Sequence, residues 1–189
     1  MIRIGILGDI GSGKSYVAKS FGYPVFNADQ EVSKLYKKDK KIFKKLKKKL
    51  PKYISSFPIK KNEITKAILS NKVNLKKIIT IVHLEIRKIL KLFLKKNRYK
   101  KVIILDIPLL LENKINNKDD ILVFVDSKKI EIEKRLKKRL NFNRKLINKF
   151  KKIQFSSSYK RRRSNFIIKN NFKKKSLNKS IKKILNEIL

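Results

Sequence analysis

Apolar residues fall along this chain in two patterns. In one they run together: Ile2-Arg-Ile-Gly-Ile-Leu7, Val102-Ile-Ile-Leu-Asp106 and Ile121-Leu-Val-Phe-Val125. Such runs predict strands buried on both faces, as in a parallel sheet covered by helices. Val25-Phe-Asn27 and Phe166-Ile-Ile168 read as two shorter strands. In the other pattern apolar positions recur at helical spacing. A first helix opens at Ser12 or Gly13 and runs to about Ser20, before a turn at Gly22-Tyr-Pro24. Residues 31–50 read as one lysine-laden helix with Val32, Leu35, Ile42, Leu46 and Leu50 as its apolar positions. Pro51 to Pro58 is an irregular connection, and helices follow over Glu63–Asn71 and Leu75–Lys96. In the second of these, Ile78, Ile79, Val82, Ile86, Ile89, Leu90 and Phe93 make one face. A face like that can lie on a membrane surface, but its usual use is packing in a core. Helices over Lys129–Lys138, Leu146–Tyr159 and Ser176–Leu189, the last with Ser176 as its cap, complete the pattern. Strands alternating with helices predict a doubly wound α/β fold with a parallel sheet.

Composition narrows the function classes. The 189 residues suffice for one domain with a real core, and an apolar share of 41% argues against disorder. With no cysteine, a disulfide scaffold, a Cys-ligated zinc site and a cysteine nucleophile are excluded. The longest stretch without a charged residue is Ser20–Ala28, far short of a membrane span. No secretory signal is visible, because the apolar run Ile2–Leu7 is short and leads into Gly8 and Asp9. A cytoplasmic protein without membrane association is expected.

The net charge of +39 is extreme. It admits two explanations. One is attraction to nucleic acid. The other is coding bias: Lys, Asn and Ile have AT-rich codons and together fill 88 positions, whereas Arg fills nine. A surface built for phosphate carries more Arg, whose fork binds bidentately, and here the lysines lie scattered on every predicted helix. No specific nucleic-acid partner is expected. Residues 1–36 stand apart, with four basic and three acidic residues.

That same segment holds all five glycines: Gly5, Gly8, Gly11, Gly13 and Gly22. Gly8-Asp-Ile-Gly-Ser-Gly13-Lys14-Ser15 matches G-x-x-x-x-G-K-[ST] between a strand and a helix. This is the phosphate-binding loop. Its backbone N–H groups, Gly11, Ser12 and Gly13 among them, converge on a nucleotide phosphate at the positive end of a helix. Lys14 is expected to reach the β- and γ-phosphates, and the Ser15 hydroxyl to hold Mg²⁺.

Other candidates end strands or crowd one helix. Asp29, just past the second strand, is either a base that orients an acceptor hydroxyl and takes its proton or an N-cap for a helix starting at Gln30. Asp106 ends the third strand, where it either holds Mg²⁺ through water or makes a turn. Arg135 and Arg139, one turn apart amid lysines, suggest forks for phosphate oxygens, with Arg144 nearby. Arg161-Arg162-Arg163 is the only arginine run and contacts either an acidic ligand or solvent; the lone histidine, His83, reads as structural.

Taken in order, these motifs resemble the dephospho-CoA kinase family. The likeness spans nearly the whole chain: the loop Ile10–Ser15, the segment Asn27–Asp29, His83-Leu84, Pro108-Leu-Leu-Leu-Glu112, Arg135 and Arg139, Gln154, and Ile167-Ile168-Lys169-Asn170. The resemblance implies transfer of a phosphoryl group from ATP, with Mg²⁺, to the ribose 3′-hydroxyl of dephospho-CoA. It makes Asp29, Lys14 and Arg139 the catalytic residues and Ser15 and Asp106 the metal residues. The ATP site becomes Gly11, Ser12, Gly13, Lys14, Ser15, Tyr16, Arg135 and Arg139. It also implies a P-loop kinase-type build in three parts: a core (1–29, 100–130 and 160–189), a helical substrate-binding lobe (about 30–99) and a small lid (about 131–159). Departures are Leu7-Gly8-Asp9 for Thr-Gly-Gly, Tyr16 for Thr, Asn27 for Asp, Leu84 for Pro and Ser164-Asn165 for Ala-Asp. The Asp9 charge is unfavourable beside a phosphate. A different small P-loop kinase is the rival that the loop alone allows.

Overall fold

Ile4 lies in register with Ile104 on one side and Ile121 on the other, all in parallel strands. The structure is a computed structural model and describes residues 1–139 and 142–189. Its elements are, in order, β1 (Ile2–Gly8), α1 (Lys14–Ser20), β2 (Val25–Asn27), α2 (Ala28–Lys38), α3 (Lys40–Lys49), α4 (Lys61–Ser70), α5 (Lys72–Lys96), β3 (Val102–Asp106), β4 (Ile121–Asp126), α6 (Lys129–Lys137), α7 (Arg144–Lys151), α8 (Ser157–Arg162), β5 (Phe166–Lys169) and α9 (Lys174–Ile188). All five expected strands form, and they make one parallel sheet in the order β2-β3-β1-β4-β5.

Two compact units are present. One comprises residues Met1–Asn27, Asn97–Asn143 and Phe150–Leu189; the other comprises Ala28–Lys96 and Arg144–Lys149. In the sheet unit, Ile4, Ile6, Val102, Ile104, Val123, Val125 and Ile168 meet Val17, Ala18 and Phe21 from around α1 and Leu177, Ile181 and Ile184 of α9. Strand alternation leaves Gly5 on the opposite face, where a Cβ would lie 2.5 Å from Leu110 Cδ2. A larger residue there would have to displace the Leu110 and Leu122 side chains. Leaving each strand at its carboxyl end, the chain presents loops along one edge of the sheet, which is where ligands bind in such folds.

The helical unit is built on α5. Its Ile78, Val82, Ile86 and Leu90 are buried, as the apolar stripe predicts, and α2, α3 and α4 pack against it. Ile42 and Leu46 of α3 and Ile64, Ala67 and Ile68 of α4 fill the rest of this core. Glu63 ties the preceding loop to α4. It accepts from Ser55 N (2.7 Å), Ser55 Oγ (2.9 Å), Ser56 N (3.0 Å), Ser56 Oγ (2.8 Å) and Lys60 N (2.9 Å). Lys149 Nζ donates to the carbonyls of Ile68 (2.7 Å) and Leu69 (2.8 Å), satisfying the end of α4.

Three element expectations are corrected. The single helix over 31–50 is two, α2 and α3. Between them Asp39 adopts extended backbone and its carboxylate caps α3 by accepting from Ile42 N at 3.0 Å. The helix expected over Leu146–Tyr159 is also two, because Ser156 caps a new start, accepting from Tyr159 N at 3.2 Å. The last helix begins at Lys174, with Lys173 at the cap position and no side-chain cap, so Ser176 lies inside it. The turn ahead of it is held instead by Asn170 and Asn171, which accept from the amides of Phe172 and Lys173. Among the described residues no helix is long and apolar enough to cross a membrane.

Candidate active site

β1 delivers the chain into the loop Gly8–Ser15 at the carboxyl edge of the sheet. Two glycines there are required by shape. Gly13 has φ +91°, and a Cβ on it would lie 2.5 Å from Asn170 Nδ2. Gly11 has φ +92°, and a Cβ on it would strike Leu136 Cγ at 2.9 Å. Asn170 and Leu136 therefore press on the loop from two sides. The Ser12 carbonyl accepts from Asn170 Nδ2 at 2.8 Å and from Ser127 Oγ at 2.9 Å. These donors leave the ends of β5 and β4, so the two neighbouring strand exits fix the loop before any ligand arrives. Preorganisation of that kind lowers the ordering cost of binding a phosphate.

Lys14 starts α1, and its ammonium turns back over the loop, donating to the carbonyls of Gly8 (3.1 Å) and Asp9 (2.8 Å). Ser15 and Tyr16 follow in the first turn of α1, both exposed, and the Ser15 hydroxyl makes no hydrogen bond among the described residues. Gly11, Ser12, Gly13, Lys14, Ser15 and Tyr16 are thus brought together as one strand–loop–helix turn. Arg135, on α6, stacks its guanidinium over the Phe172 ring, 4.2 Å from the centroid. Phe172 has φ +62°, and its ring edge lies 3.0 Å from where a Gly13 Cβ would sit. Arg135 is therefore joined to the loop through an aromatic ring. Arg139 is not on that helix, which ends at Lys137. It lies past the end of α6, in a turn where its amide donates to the Leu136 carbonyl at 3.1 Å, and its side chain is exposed.

Asp106, the last residue of β3, is buried. It stands in register with Asn27 of β2, and Asn27 Nδ2 donates to its carboxylate in a short hydrogen bond. Asp29 lies in the first turn of α2, which starts directly at Ala28; it is not a cap before Gln30. Its side chain is exposed and belongs with the helical unit. His83 also lies in that unit, half-buried on α5. Burial and then the Arg87 guanidinium push its pKa down, so it is neutral at pH 7.

The segment Pro108–Glu112 is tied at both ends to the chain around α8. Gln154 Nε2 donates to the Pro108 carbonyl at 3.2 Å, and Phe155 N donates to Glu112 Oε1 at 2.8 Å. The wholly buried Lys160 brings its ammonium 3.3 Å from the same Glu112 oxygen. Arg161 pairs with Asp126 at 3.2 Å, at the end of β4.

Sequence reasoning missed Ser127, Phe172, Ser157 and Lys160. Ser127 was findable, since it directly follows a predicted strand at the edge where ligands bind. Phe172 and Lys160 carry no such signal: one depends on a positive φ and the other on a buried partner far away in sequence.

A parallel sheet with this loop at the carboxyl end of its central strand defines a P-loop nucleotide-binding protein of the small-kinase type. The dephospho-CoA kinase family model matches residues 2–176. A dephospho-CoA kinase of Wolbachia pipientis wMel is 33% identical over 190 residues, covering 98% of this chain and 97% of that protein. A crystal structure from Thermus thermophilus superposes with a TM-score of 0.79 at 26% identity, covering 100% of this chain and 98% of that one. A dephospho-CoA kinase from Campylobacter jejuni shares the fold, with a TM-score of 0.61 at 20% identity, covering 98% of this chain and 96% of that one. The chain belongs to the dephospho-CoA kinase family.

Proposed function

We propose that the protein transfers the γ-phosphoryl group of ATP to the ribose 3′-hydroxyl of dephospho-CoA, giving CoA and ADP. Membership of a kinase family implies ATP as co-substrate. The observation that carries the reading is a phosphate loop already held in place by Ser127 and Asn170, in a chain whose family match runs over residues 2–176.

The ribose oxygen attacks the γ-phosphorus as the bond to the β-phosphate oxygen breaks, and ADP leaves. Little covalent work falls to the protein, so alignment and charge stabilisation dominate. The amides of Gly11 and Gly13 cradle the phosphates, and that of Ser12 joins them by leaving the Asp9 carbonyl, to which it donates at 3.1 Å. Lys14 exchanges its two loop carbonyls for β- and γ-phosphate oxygens. Arg135 and Arg139 supply further positive charge to the nucleotide, and Tyr16 lines its site. Asp29 accepts the hydroxyl proton as the new bond forms.

Mg²⁺ would be held by the Ser15 hydroxyl and, through water, by Asp106. The donor set fits this ion: the exposed Ser15 hydroxyl and the buried Asp106 carboxylate are hard oxygen ligands, and Mg²⁺ keeps waters and relies on substrate phosphates. Bound there, it would neutralise charge on the β- and γ-oxygens. The helical unit is assigned to the CoA substrate, and residues 131–159, of which 140 and 141 lie outside the described residues, to covering the nucleotide. No specific nucleic acid enters this scheme, and the working compartment is the cytoplasm.

The test is product analysis after incubation with ATP, Mg²⁺ and dephospho-CoA. CoA and ADP should form in equal amounts. Lys14→Ala should lower turnover about 10²-fold or more by removing a preorganised charge. ADP release without CoA, or a fully active Lys14→Ala enzyme, would overturn the assignment.

A further inference from the structure

Asp9 puts a carboxylate inside the loop that receives a polyanion, and nothing in the reaction described above uses it. Both of its carboxylate oxygens face one hydroxyl. Ser157 Oγ, at the first residue of α8, lies 2.6 Å from Asp9 Oδ1 and 2.8 Å from Asp9 Oδ2. The loop and Ser157 are 148 residues apart in sequence, and both lie in the sheet unit. Asp9 also contributes its main-chain carbonyl to Lys14 at 2.8 Å, so its backbone is fixed while its side chain is anchored separately on α8. The two residues line a cavity of about 220 Å³ together with Ile10, Lys151, Gln154 and Phe155.

α8 is itself well placed to act as an anchor. Ser156 caps it, and its buried Lys160 pairs with Glu112 while Arg161 pairs with Asp126. A hydroxyl on a helix tied down this way holds a fixed position, and a hydrogen bond to an ionised acceptor is stronger than one between neutral groups.

We propose that Ser157 is a positioning residue for nucleotide binding, which it serves by holding the Asp9 carboxylate on α8 and off the phosphate seat of the loop. Without that hydrogen bond the carboxylate is free to rotate over the loop, where a like charge opposes the β- and γ-phosphates. Ser157 acts through Asp9 and need not touch the nucleotide. The inference rests on the reading of Gly8–Ser15 as the ATP phosphate loop.

ATP and ADP binding to the full-length protein, by calorimetry in the presence of Mg²⁺, tests it. Ser157→Ala should weaken ATP binding about three- to tenfold, the scale of a unit-charge repulsion across a few ångströms in a water-like dielectric. It should weaken ATP more than ADP, because ATP carries more negative charge. The loss should shrink as salt rises, since repulsion of this kind is screened. Ser157→Thr keeps the hydroxyl and should bind nearly as the parent. In the Asp9→Asn background the carboxylate charge is absent, and Ser157→Ala should there cost almost nothing. An equal loss with and without Asp9→Asn would mean that Ser157 merely supports α8, and unchanged ATP binding by Ser157→Ala would mean that the latch has no role. Failure of the parent protein to bind ATP would instead overturn the reading of the loop.

Discussion

Asp29 is the residue on which the proposed chemistry depends most. A ribose hydroxyl is a weak acid, so it needs alignment and a proton acceptor as it attacks. Asp29 lies just past the carboxyl end of β2, in the first turn of α2, with an exposed side chain, and because α2 starts at Ala28 it is not a cap before Gln30. Asp29→Asn keeps the shape and one acceptor oxygen but removes the charge. It should lower kcat by about 10²–10⁴-fold, the range for a positioned acid–base group. ATP affinity should change little. Steady-state kinetics with dephospho-CoA check both parts, and full activity would remove Asp29 from the mechanism. The arginines are less alike than the sequence suggests. Arg135 is stacked on Phe172 beside the loop, while Arg139 stands in the turn past α6 with an exposed side chain.

At the scale of elements, the strands were legible because each is a short apolar run. The phosphate loop was legible because its glycines answer to steric demands: Asn170 at Gly13 and Leu136 at Gly11 leave no room for a Cβ. The helix breaks were not legible. Asp39 and Ser156 interrupt apolar periodicity that continues on both sides, and only a local capping bond marks the stop. Contacts such as Ser157 with Asp9 and Lys160 with Glu112 join distant stretches of chain and leave no trace in local pattern. The loop before α4 gives an element-scale prediction. Burial pushes the Glu63 carboxyl up, but hydrogen bonds from the Ser55 and Lys60 amides and the Ser56 and Ser55 hydroxyls outweigh it and hold the pKa at about 2, down from 4.5. The folded-state value lies below the unfolded one, so the stabilisation is complete above about pH 4.5 and is lost as pH falls toward 2. Glu63→Gln should therefore be less stable at pH 7, and the gap from the parent should close between pH 4.5 and 2. Denaturant titrations across that range measure it; a gap that persists at pH 2 would show that the charge is not what binds the loop.

Across the whole molecule, the +39 charge and the phosphate loop make different claims about function. Charge spread over every helix attracts any polyanion, whereas the loop selects a phosphate at one place. The family match over residues 2–176 spans the loop, the strand exits around it and the Pro108–Glu112 segment together. What separates a dephospho-CoA kinase from another small P-loop kinase is the acceptor. The decisive measurement is therefore kcat/KM for ADP release with ATP and Mg²⁺, compared among dephospho-CoA, a nucleoside monophosphate and a small alcohol. A site whose polar groups are built around one acceptor rejects others by large factors, so dephospho-CoA should exceed both by at least about 10³-fold. Equal rates with all three acceptors, at the level of ATP hydrolysis in their absence, would contradict the account.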